Sequence, residues 1–196
     1  VNKDGKSDII TSYSIDKVAI LYGDGLGGFT TPDDPNNIYE VGGVGGGMSI
    51  EEIVLADFNA DTNIDIATAN GDGNVSILLG VGVGGFGLPT KIAVEGDPRG
   101  IVVGEFNGDG QLDLAVASYS TGVLSWLFGD GTGNFTVGGS VNTQCASYGI
   151  NTADYNGDGI SDLMIPSWHE SLTKIFLGNG LGDFSLQVIK DFDYNT

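Results

Sequence analysis

Cysteine and histidine are nearly missing from this chain, with one of each in 196 residues. A lone Cys145 allows no intrachain disulfide. His169 is far from it in sequence, so there is no Cys/His pair for nucleophilic chemistry and no zinc-ligand set. Cys145 reads as a small packing residue. Positive charge is also scarce: seven Lys and Arg stand against 26 Asp and Glu, a net charge of −19. That balance argues against nucleic acid or an anionic membrane as partner. No apolar run approaches the roughly 18 residues of a membrane span, so insertion into a membrane is not expected. There is neither a signal peptide nor an initiating Met, and the chain reads as a processed protein or a part of something longer.

Glycine and acid are abundant. The 34 glycines follow no collagen period and read as turns. Hydrophobic residues make up 40 %, enough to bury a core in one domain or a short repeat array. The acids are spaced. Asp154-Tyr155-Asn156-Gly157-Asp158-Gly159-Ile160-Ser161-Asp162 puts oxygen-bearing side chains at positions 1, 3, 5 and 9 of a loop. The same pattern runs from Glu105 through Asn107, Asp109 and Gln111 to Asp113. It runs again from Asp57 through Asn59, Asp61 and Asn63 to Asp65. The chain opens in a fourth copy, with Asn2, Asp4, Lys6 and Asp8 and no position 1.

Hard cations such as Ca²⁺ take six to eight oxygens, and alternating residues of a tight loop can converge on one. Glycine at position 6 permits the turn. The carbonyl of position 7 (Lys6, Asn63, Gln111 or Ile160) adds a ligand, and the Asp at position 9, such as Asp162, closes the site. Up to four Ca²⁺ sites are expected. Thr62 stands where glycine belongs, so the Asp57–Asp65 site should bind more weakly or strain the backbone. Glu105 is one methylene longer than the Asp expected at position 1. Four calcium ions, eight positive charges, would bring −19 to −11.

Each loop is followed by short β-branched runs bounded by turn residues, which read as strands. A second mark, of the form Gly-x-Gly-x-Gly-x-Phe, spans 23–29, 80–86, 129–135 and 178–184. A third strand is expected near each Phe, and a fourth leads into the next loop. The loop aspartates at 4, 61, 109 and 158 give steps of 57, 48 and 49. The phenylalanines at 29, 86, 135 and 184 give 57, 49 and 49. This places repeats at about 1–47, 48–98, 99–146 and 147–196. The long first step marks an insertion over Thr31–Pro35 and Gly42–Gly47, read as an extended loop. Ser49-Ile50-Glu51-Glu52 weakly matches the cap of a short helix. One such sheet cannot hide both faces, so neighbours must stack, with Ala67, Ala69, Ala115 and Ala117 allowing close approach. Phe58, Phe106 and Tyr155 are expected to anchor each loop to its own sheet.

The loop and the glycine motif together resemble the FG-GAP/VCBS repeat, known from the β-propeller of integrin α subunits, over essentially the whole chain. The resemblance implies an all-β fold of four tandem four-stranded repeats, either propeller blades or an open linear β-repeat array. It also implies calcium in the loops, an extracellular setting, and roles in adhesion or matrix. Four repeats are fewer than the seven of the integrin propeller.

Other motifs carry less. Gly23-x-Gly25-x-x-Gly28 and Gly80-x-Gly82-x-x-Gly85 match a dinucleotide fingerprint in form, but no helix pattern follows. Trp168-His169-Glu170 reads as a hairpin tip. Asn74-Val75-Ser76 and Asn134-Phe135-Thr136 are glycosylation sequons in form. Carboxylate pairs for glycoside hydrolysis would need acids that the loops already use. The expectation is a non-catalytic extracellular calcium-binding module for adhesion, scaffolding or fibre formation, with head-to-tail self-association. Its protein or glycan ligand is not named by the sequence. The alternative is a recognition or spacer module of a secreted polysaccharide-degrading enzyme. A third possibility is an enzyme with its site on the propeller.

Overall fold

Val, Ile and Thr restrict χ1 and suit the pleated backbone, and Gly, Asn and Asp break the runs into short strands. The computed structural model accordingly shows strands and tight turns. It describes residues 1–30, 35–42, 49–167 and 173–189. Among these residues the strands form four antiparallel sheets and no closed barrel. The first sheet holds β1 (Ile9–Ser14), β2 (Lys17–Leu21) and β3 (Ile38–Glu40). The second holds β4 (Ile50–Ala56), β5 (Asp65–Asn70), β6 (Asn74–Leu78) and β7 (Thr90–Ala93). The third holds β8 (Pro98–Gly104), β9 (Asp113–Ser118), β10 (Val123–Gly129) and β11 (Phe135–Asn142). The fourth holds β12 (Asn151–Ala153), β13 (Asp162–Pro166), β14 (Thr173–Gly178) and β15 (Phe184–Ile189). Among the described residues the first sheet has three strands rather than four, because nothing pairs with β1 where β4, β8 and β12 pair in the others.

The period of two sorts side chains between neighbours. Ala67 and Ala69 on β5 meet Ile101, Leu114 and Val116 of the third sheet. Ile66, one position off, joins Val18 and Ile20 of the first. Ala115 and Ala117 on β9 face Leu163, Ile165 and Phe176 of the fourth. Small side chains thus lie toward the following sheet. All six residues of β5 and all six of β9 are buried, because both inner sheets are covered on both faces. On β1 no residue is fully buried.

Three expectations need correction. Ser49–Glu52 caps no helix: Ile50 begins β4, and its β-branched neighbours Ile53 and Val54 pair with Thr68 and Ala67 across the ladder. The third strand does not start at Phe29 or Phe86, which form only isolated bridges to Gly23 and Gly80. It starts at Ile38 and Thr90, after Pro35 and Pro89, since proline has no N–H for the ladder. At Phe135 and Phe184, with no proline following, the strand begins at once. The first insertion is not only loop, since it carries a 3-10 turn at Pro35–Asn37 and then β3. Its remainder, at 31–34 and 43–48, lies outside the described residues, as do Trp168-His169-Glu170.

Candidate cation-binding loops

The acidic loops join β4 to β5, β8 to β9 and β12 to β13, and the first leads into β1. They share one rim with the glycine turns. Register closes three of them at the base, where Ala56 faces Asp65, Gly104 faces Asp113 and Ala153 faces Asp162.

Positions 1, 3 and 5 turn inward onto loop N–H groups. In the fourth loop Asp154 accepts from Gly157, Asp158 and Gly159 at 2.6, 3.1 and 2.9 Å. Asn156 Oδ1 accepts from Asp158 N at 2.9 Å, and its amide donates to Asp158 Oδ2 at 2.8 Å. Asp158 Oδ1 accepts from Ile160 N at 2.8 Å. The second loop repeats this with Asp57 on Asp61 and Thr62, Asn59 on Asp61, and Asp61 on Asn63. The third does so with Glu105 on Asn107 and Gly108, Asn107 on Asp109, and Asp109 on Gln111. In the first, Asn2 accepts from Asp4 N and Asp4 from Lys6 N. The Lys6 ammonium stands 3.9 Å from Asp4 Oδ2.

Position 9 is different. Asp65, Asp113 and Asp162 are fully buried. One oxygen of each accepts the N–H of position 2: Phe58 at 2.7 Å, Phe106 at 2.9 Å and Tyr155 at 2.9 Å. The other accepts the N–H of the first turn glycine: Gly80 at 2.7 Å, Gly129 at 2.9 Å and Gly178 at 2.9 Å. Asp8 does the same with the Val1 nitrogen at 2.7 Å and Gly23 at 3.0 Å. The first turn glycine has no room for a Cβ, because the position-8 carbonyls of Ser7, Ile64, Leu112 and Ser161 lie against it. The ninth acid therefore staples the loop to the glycine turn. Among the described residues no group of three His, Cys, Asp or Glu side chains forms a ready metal site. What each loop gathers on its inner face is carboxylate and amide oxygen, a hard-donor set.

Burial pushes the carboxyls of Asp65 and Asp113 up, against the two N–H groups each accepts, and the acids at positions 1 and 5 push further. Backbone N–H bonds, led by that of Gly159, hold Asp154 below its ordinary range, and the Asn63 N–H does so for Asp61. In the third glycine turn the Thr132 hydroxyl and N–H hold Asp130 down to about 2.

Sequence reasoning found position 6 but missed position 4. Both take positive φ in every loop: Lys3 and Gly5, Ala60 and Thr62, Gly108 and Gly110, Gly157 and Gly159. At Ala60 and Thr62, with φ of 57° and 71°, side chains occupy the left-handed region at about 1–2 kcal/mol each. The glycines at 108 and 157 were the available signal. The aromatics were also misplaced. Phe58 and Phe106 reach the next sheet, meeting Phe135 and Phe184 edge-on at 5.3 and 5.6 Å, while Tyr155 is 39 % exposed. At the opposite rim, β-bulges present Glu51 and Arg99, which pair at 2.9 Å beside Tyr119 and Tyr148.

A family model described as FG-GAP-like repeat matches residues 57–116 and 105–165, together more than half of the chain. Among solved structures, BBS1N in complex with ARL6DN matches in two crystals, soaked with lead and with mercury. The TM-scores are 0.56 and 0.59, each at 16 % identity, over 91 % and 96 % of this chain. The chain spans about half of those chains, 46 % and 52 %. No curated protein sequence matches it.

Proposed function

We propose a function from the premise that the chain belongs to the FG-GAP-like repeat family, whose members are generally non-catalytic modules. As a repeat scaffold, it is a non-catalytic, extracellular module whose loops take calcium, and it serves adhesion, scaffolding or fibre formation. The observation that carries the calcium reading is the oxygen-lined inner face formed by positions 1, 3 and 5 in the second, third and fourth loops. In the fourth, Asp154 and Asn156 oxygens stand 3.1 and 2.9 Å from the same Asp158 N–H. Two carboxylates held in one small loop repel each other until a cation neutralises them. Asp154, Asn156, Asp158 and the Ile160 carbonyl would hold Ca²⁺. Asp162 would add lone pairs that its two N–H partners leave open. The non-catalytic reading is supported by the placement of Cys145, which is buried at 1 % exposure among apolar side chains.

Melting the protein with excess calcium and with chelator tests this. A ligand bound only by the folded state adds roughly 2.7 kcal/mol per site at about 100 times its Kd. The midpoint should rise with calcium. Asp158→Ala should lose more of that rise than Asp61→Ala, whose loop already carries strain at Thr62. An unchanged midpoint in decalcified protein would refute the calcium reading.

A further inference from the structure

The chain holds two Asn-x-Ser/Thr triplets, Asn74-Val75-Ser76 and Asn134-Phe135-Thr136, and the fold treats them differently. Such a triplet takes an N-linked glycan where its amide and its hydroxyl can both reach a transferase, which asks for a surface position.

Asn74 opens β6, an inner strand of the second sheet, where it pairs with Asn70 on β5 and Ala93 on β7. Its Nδ2 donates to Asp72 Oδ1 at 3.1 Å and to the Asp72 carbonyl at 3.5 Å. Val75 and Ser76 are fully buried. The Ser76 hydroxyl donates to the Val41 carbonyl at 2.5 Å and accepts from Asn70 Nδ2 at 2.8 Å. The hydroxyl that a transferase must read is therefore spent inside the molecule. Exposing it would mean opening β6 from both of its neighbours.

Asn134 ends the third glycine turn, on the loop rim, and is exposed. Its Nδ2 donates to Thr132 Oγ1 at 2.9 Å and to Asp130 Oδ2 at 3.3 Å, both at the surface. A substituted Nδ2 keeps one N–H, enough for one of these two bonds. The bonds that close the turn do not use the amide: Asp130 N donates to the Asn134 carbonyl at 3.1 Å, and Thr132 N to Asp130 Oδ1 at 2.8 Å. Phe135 alone of the triplet is buried, against Phe58. Thr136 is exposed on β11, an outer strand that pairs only with β10 among the described residues.

We propose that Asn134 is an N-glycan acceptor and that Asn74 is not. The co-substrate is an oligosaccharide linked to a lipid pyrophosphate. Asn134 Nδ2 attacks its anomeric carbon, and the new C–N bond forms as the C–O bond to the pyrophosphate breaks. The lipid pyrophosphate leaves with the electron pair, and one Nδ2 proton passes to a base of the transferase. The glycan would stand on the loop rim beside the third loop, whose Gln111 side chain lies against Gly131. This assignment rests on the extracellular reading, because the donor is met on the export route.

Expression of the chain behind a secretory leader in cultured animal cells tests it, since the leader brings the chain to the transferase whatever its natural location. The wild type should carry a single glycan, released by peptide N-glycosidase as one step in mobility. Release in heavy-oxygen water should tag Asn134 by mass and leave Asn74 untagged. Asn134→Gln and Thr136→Val should each abolish the glycan, while Thr136→Ser and Asn74→Gln should keep it. Circular dichroism melts check that each variant folds, and the split between Val and Ser at 136 reads acceptor chemistry rather than folding. An unmodified Asn134, or a glycan on Asn74 of the folded, exported protein, would overturn the assignment. A glycan at Asn134 under the leader, with a bare Asn134 in protein from its natural source, would instead refute the extracellular reading and uphold the acceptor.

Discussion

The ninth acid of each loop has two assignments, and the geometry weights them. Its place in the spacing makes it a cation ligand, yet Asp113 spends both oxygens on buried N–H groups of Phe106 and Gly129. Asp113→Ala would strand two buried donors at about 1–3 kcal/mol each. Asp113→Asn keeps one acceptor and should lose about half as much. Urea denaturation in chelator measures both without any contribution from a cation. If alanine costs no more than asparagine, the staple is not what holds the loop. The acids were legible because carboxylates at fixed spacing are rare by chance. The staple was not, because its partners are backbone groups, and one of them, Gly129, lies 16 residues away.

At the scale of elements, the strands were readable from their β-branched runs, and the hairpins from the turn residues between them. Less readable was which sheet each side chain would serve. Phe106 follows its loop's first residue and suggests a local anchor, yet its ring lies against Phe184 of the next sheet at 1 % exposure. Removing it leaves a cavity in the junction, so Phe106→Ala should cost about 3–5 kcal/mol. Tyr155→Ala, at the matching place on the fourth sheet but 39 % exposed, should cost less than about 1 kcal/mol. Denaturant titration of both variants decides the matter. Equal losses would mean that the ring serves its own sheet and not the junction.

Over the whole molecule, a charge of −19 opposes compaction. The acids concentrate on the loop rim, where some lie within a Debye length of one another. Without calcium, raising NaCl from about 0.02 to about 0.5 M should raise the melting midpoint by screening that repulsion. With calcium bound, the same change should do less. A midpoint indifferent to salt in chelator would show that the rim acids are already balanced by their N–H partners. Stability in such a stack is close to a sum over neighbouring sheets. The two inner sheets, covered on both faces, should therefore open last.

The sequence by itself determined the unit: its period, its strands, its turns and the acids of its loops. These are local properties, set by residue type and spacing within about 49 residues. Only the tertiary structure decided where the units meet. The fit of Phe128 over Gly182 and the reach of Phe106 to Phe184 depend on partners in other segments. The left-handed backbone at Ala60 and Thr62 was likewise decided by the loop around them. A turn held by several backbone N–H bonds that the side-chain oxygens of Asp57, Asn59 and Asp61 accept outweighs the preference of two side chains for negative φ.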